Sequence, residues 1–108
     1  MSDLSSRIRS MNDMIRKGLP HMVSPHKVVM SCGIVEQMAP QDIAYVMKKI
    51  KDYDKFDVDN GPYEEHDFGS VYWNDEKIFW KFDYYDEAFE SWKEDGIRVL
   101  TIMFADEY

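Results

Sequence analysis

The sequence predicts an α+β fold in a single domain, residues 1–108, with two helices packed on one face of a four-stranded antiparallel sheet. Three observations predict it. Apolar residues recur at helical spacing twice in the first half of the chain, aromatic and β-branched residues alternate through the second half, and no linker, repeat or low-complexity tract interrupts the pattern. The expected order is α-β-α-β-β-(α)-β.

Leu4, Ile8, Met11 and Ile15 lie on one helical face, Ser2 or Asp3 can cap it, and Gly18 and Pro20 stop it, so a helix is predicted over 3–17. Arg7, Arg9, Arg16 and Lys17 read as its solvated side, the last two complementing the helix C-terminus. The run from Lys27 to Gly33 predicts a short strand over about 27–32, closed by Gly33, with Cys32 as a small buried residue. Pro40 suits the first turn of a second helix over 40–52. Its stripe is Ile43, Val46, Met47 and Ile50, with Lys48, Lys49 and Lys51 outside. Seven of the eight methionines precede residue 52, which suits adaptable thioethers packing against an aromatic sheet.

An acidic, turn-rich loop follows over 52–67. Alternation over 67–73, a turn at Asn74 and Asp75, and a strand over 76–85 predict a hairpin. On its second strand Ile78, Trp80, Phe82 and Tyr84 face the core, while Phe79, Lys81, Asp83 and Tyr85 face the other way. Residues 87–94 suit a short helix ended by Gly96, and 98–104 a central strand apolar on both faces. Either the first or the last strand fits beside the hairpin, and Ala105 to Tyr108 read as an acidic tail or the solvated end of the last strand.

At 44% hydrophobic and 15% aromatic, the chain has the means to fold despite 31% charged residues. The lone Cys32 and an opening without a signal-like apolar run point to a reducing cytoplasm. No apolar run approaches the roughly 20 residues that span a bilayer. Charge divides the chain: residues 1–51 carry eight bases against four acids, and residues 52–108 carry 17 acids against five bases. The resulting net of −8 disfavours direct nucleic-acid binding and favours a protein partner with a basic surface. The five glycines are scattered, without a phosphate loop, nucleophile elbow or dinucleotide fingerprint, so no cofactor is expected.

The densest polar cluster holds Asp57, Asp59, Asn60, Glu64, Glu65, His66 and Asp67 around Gly61 and Pro62. An EF-hand loop is excluded: with Gly61 as its turn glycine, the first two ligand positions fall on Phe56 and Val58. A less regular metal site would use Asp57, Asp59 and Glu64; the plainer reading is side chains tying up turn backbone. A catalytic alternative centres on His66 with Glu64, Asp67 and Asp83, against which stands the opposite pointing of adjacent strand residues. His21, His26 and Cys32 offer soft ligands without the paired cysteines of structural zinc. A binding surface is expected from Asp59, Tyr63, Glu64, Glu65, Phe79, Lys81, Asp83, Tyr85 and Asp86, where rings stand beside charges.

Five blocks carry a resemblance to a bacterial family catalogued as domain of unknown function 3768. They are Arg9 through Asn12-Asp13, Val28 to Gly33, Asp59-Asn-Gly-Pro-Tyr-Glu-Glu-His-Asp-Phe-Gly69, Phe79-Trp-Lys-Phe-Asp-Tyr-Tyr-Asp86 and Arg98 to Tyr108. The resemblance implies a small bacterial protein of plasmid, phage or other accessory-genome origin, and supplies no catalytic residue. Val23-Ser-Pro-His26 stands where members carry glycines, and Glu87 to Ile97 replaces a longer Pro/Asp-rich stretch, so no role is carried over to those loops.

The leading expectation is a non-catalytic acidic protein-binding module, for instance an inhibitor that imitates nucleic acid on a basic enzyme. The alternative is a small metal-dependent or His/carboxylate hydrolase at His66. Self-association, basic half against acidic half, is a third.

Overall fold

The structure, a computed structural model, describes residues 3–56, 65–85 and 96–108. Its elements in chain order are α1 (Asp3–Lys17), β1 (Lys27–Met30), α2 (Cys32–Gln37), α3 (Pro40–Lys51), β2 (Phe68–Trp73), β3 (Glu76–Tyr85), β4 (Ile97–Phe104) and a 3₁₀ turn over Ala105–Glu107. The four strands form one sheet in the order β1-β4-β3-β2.

The sheet is mixed, which corrects the expectation of a purely antiparallel one. β2 pairs antiparallel with β3, and β3 with β4, but β1 runs parallel to β4 from Lys27↔Val99 to Met30↔Ile102. The reason is the connection: the helical crossover from β1 brings the chain back at the far edge as β2, running parallel to β1, and two antiparallel steps through β3 then lay β4 parallel beside β1. β4 therefore lies between β1 and β3, where its apolar residues serve both faces; Leu100 and Ile102 are fully buried, and Ile97 and Met103 nearly so.

The β2–β3 turn forms as expected. Asn74 and Asp75 both take left-handed backbone, with φ of 50° and 63°, so the two-residue loop matches the twist of its strands. Predicted strand 27–32 stops at Met30. Ser31 instead caps a helix, its Oγ accepting from the Ile34 amide at 3.3 Å, and Gly33 sits inside that helix. A Cβ on Gly33 would fall 2.8 Å from the Glu107 carboxylate, so its smallness admits a neighbour rather than ending a strand. Cys32 is exposed, not buried.

All three described α-helices feed one core on one face of the sheet. Ile8, Ile15 and Leu19 of the α1 segment, Ile34 and Met38, and Val46, Met47 and Ile50 of α3 pack with Ile78, Trp80, Phe82, Leu100, Ile102 and Phe104. Trp80 is central and fully buried, and a Cβ on Gly69 would lie 2.6 Å from its ring. The segment after β4 is pinned through Glu107. Glu107 accepts from Ser31 Oγ (2.6 Å), the Gly33 amide (3.2 Å) and the Phe104 amide (2.9 Å), which holds its carboxyl below the usual range. No described helix is long and apolar enough to cross a membrane.

Candidate functional site

The second half of α1 turns polar side chains toward the core, and Arg16 leads them. Read from sequence as solvated, it is 1% exposed. α3 ends with carbonyls that lack helical partners. Arg16 Nη1 donates to three oxygens there: Ile50 O and Lys51 O at 2.9 Å, and Tyr53 O at 3.0 Å. Its Nη2 donates to Asp13 Oδ1 at 3.2 Å, one helical turn back. The guanidinium also lies over Phe56 and Trp80, 5.3 and 5.7 Å from their ring centres.

Asp13 holds a second partner. His66 Nδ1 stands 2.9 and 3.1 Å from its two oxygens, and the imidazole stacks on Phe56 at 3.8 Å with planes 5° apart. His66 has left-handed backbone, φ 55°. A carboxylate at Nδ1 orients the ring and favours the tautomer protonated there. The pair opens on a cleft of about 730 Å³ whose walls include Arg16, Lys17, Lys51, Asp54 and Tyr53.

Behind it lies a buried network. Arg98, 2% exposed, donates from Nε to Asn12 Oδ1 (3.1 Å) and from Nη1 to Gly96 O (2.7 Å), with its guanidinium over the Tyr84 ring. Asn12 Nδ2 donates to Tyr84 Oη (2.9 Å) and Glu65 O (3.0 Å), and the Tyr84 hydroxyl donates to Glu65 Oε1 (3.2 Å). Burial, then the nearby carboxylates, pushes the Tyr84 hydroxyl well above its ordinary pKa, so it stays a donor. His26 Nδ1 accepts from the Arg98 amide at 3.0 Å, and burial together with the Arg98 charge lowers its pKa.

Of the catalytic set expected from sequence, the described members His66, Asp67 and Asp83 do not share the cleft, since only His66 is among its lining residues. His66 lines the cleft, but its carboxylate partner is Asp13. Asp67 is partly buried, and desolvation, with Asp83 adding to it, raises its carboxyl pKa. Asp83 pairs with Lys81 at 3.1 Å. Glu64 lies outside the described residues, as do Asp57, Asp59, Tyr63 and Asp86. Among the described residues no group of three His, Cys, Asp or Glu side chains is placed to hold a metal ion. Asn12, Asp13, Arg16 and Arg98 were not legible as one site, since their partners lie up to 86 positions away.

The face of the sheet opposite the helices carries the other expected set. Phe79, Lys81, Asp83 and Tyr85 are half-buried there. Phe68 and Phe79 pack at 5.0 Å, and Tyr108, 72% exposed, meets them edge-on at 5.9 and 5.5 Å. Lys77 Nζ lies 5.4 Å from the Phe79 ring centre. Glu65, expected on this surface, is drawn into the Asn12–Tyr84 network.

Residues 32–107 match the family described as Protein of unknown function (DUF3768). No curated protein and no solved structure matches the chain.

Proposed function

The chain belongs to the DUF3768 family, and within it we propose that this protein is a non-catalytic protein-binding module. It acts on a partner with a basic surface, as an inhibitor or nucleic-acid mimic would. The single observation that carries the reading is the outer face of the sheet. α1, α2 and α3 all pack on the opposite side, so no described helix covers Phe68, Phe79, Tyr85 and Tyr108, which surround the Lys81–Asp83 pair. Aromatic rings held stiff by a sheet and mixed with charges are the composition of interface centres. The 17 acids of residues 52–108 add steering toward lysine- and arginine-rich grooves. The setting proposed with this is a bacterial accessory or mobile element and the cytoplasm.

Co-purification with tagged protein, followed by mass spectrometry, tests the proposal. A basic partner whose recovery falls at high salt is expected; only neutral or acidic partners, insensitive to salt, would overturn it.

The Asp13–His66 pair favours a second reading, hydrolysis with His66 as general base. Its described surroundings supply charge but no Ser, Thr or Cys nucleophile, so water would have to be the attacking group. A hydrolytic activity in a panel of esters and phosphoesters that His66→Asn abolishes would establish this reading; its absence would remove it.

A further inference from the structure

Among the described residues β2 is an edge strand, and its outer side is lined as a groove. A cleft of about 500 Å³ runs between α3 and β2, touching Tyr45, Lys48 and Lys49 on one side and Ser70, Val71 and Tyr72 on the other. Successive strand residues point to opposite faces of a sheet. A cleft that touches three in a row therefore follows the backbone edge itself, not a face.

The hydrogen-bond pattern fixes what that edge offers. Trp73↔Glu76 closes a two-residue hairpin, and the Phe82 amide donates to Asp67 O at 2.8 Å. Residues 67, 69, 71 and 73 thus exchange bonds with β3, and by alternation Phe68, Ser70 and Tyr72 aim their N–H and C=O groups outward. Lys49 Nζ donates to Tyr72 O at 3.0 Å, in keeping with that direction. Among the described residues nothing bonds the Ser70 N–H or C=O.

We propose that this edge is a strand-addition site that takes an extended segment of a partner protein with alternating apolar and acidic side chains. Main-chain pairing comes from Ser70 and its neighbours. The apolar positions have Tyr45 and Tyr72, 53% and 54% exposed, on either side of the groove. The acidic positions have Lys49, on the cleft wall beside Lys48, which already neutralises Asp52 at 2.8 Å. The exposed Lys49–Tyr72 bond is exchanged for a partner's amide, and the freed ammonium meets a partner carboxylate. This site is independent of the outer-face proposal.

The test is selection of random peptides displayed on phage against the full chain, with synthetic copies of the enriched sequences then titrated. Alternating apolar and acidic peptides are expected. Ser70→Pro removes an outward amide that the β2–β3 ladder does not use, so it should keep the fold and weaken binding tenfold or more, as should Lys49→Glu. If Ser70→Pro does not fold, Lys49→Glu and slowed amide exchange at Ser70 and Tyr72 of the wild-type chain on peptide addition decide the matter. No enrichment, or peptides that bind equally well to the variants and leave exchange at the edge unchanged, would overturn the proposal.

Discussion

Arg16 combines three tasks in one side chain: it caps α3, holds Asp13, and fills the space between Phe56 and Trp80. Arg16→Ala would leave three carbonyls and a carboxylate short of a donor, and should cost about 3 kcal/mol or more in urea unfolding. Arg16→Lys should restore little, since an ammonium lacks the planar fork that reaches carbonyls and carboxylate together. Asp67 is the contrasting case. Burial raises its carboxyl above the ordinary 3.8, so the folded state holds its proton more tightly than the unfolded state does. The stability linked to that proton is complete below pH 3.8 and is lost as pH rises through the folded value. Asp67→Asn should therefore be more stable than wild type at neutral pH, with the difference closing below pH 3.8, as thermal melts across pH would show.

At the scale of elements, what was legible is what local chemistry decides. Pro40 with an apolar stripe marked α3, observed as Pro40–Lys51. Alternation about Asn74 and Asp75 marked the hairpin. The turn can be improved: a residue at φ 63° is eased by glycine, so Asp75→Gly should stabilise the fold by roughly 0.5–1 kcal/mol in chemical denaturation. What was not legible depends on distant partners. Ser31 and Gly33 read as the end of a strand because nothing nearby announces Glu107, more than 70 residues on, whose carboxylate bonds both. The direction of β1 likewise rests on where the chain returns to the sheet, and Val28 and Met30 look the same in a parallel or antiparallel ladder. Of the candidate sites, the Phe79–Tyr85 face followed from period-two alternation, whereas the Asp13–His66–Arg16 group needed α1 and the start of β2 to meet.

For the whole molecule, the helices and the acids divide the labour. The helices and the sheet's inner face supply the core and the cleft beside His66, while residues 52–108 give that half of the chain its negative charge. Attraction of that kind fades with ionic strength, over a Debye length of roughly 10 Å at moderate salt. On the proposed reading, the field would bring partners in and the rings of the outer face would retain them. The most direct measurement of this division is quantitative recovery of the co-purifying partner by three versions of the tagged chain. These are wild type, a Phe79→Ala/Tyr85→Ala double variant, and His66→Asn, which suits the left-handed backbone at that position. Binding through the outer face predicts that the double variant loses the partner tenfold or more while His66→Asn retains it. Loss on changing His66, with full recovery by the double variant, would contradict it and move the working site to the cleft.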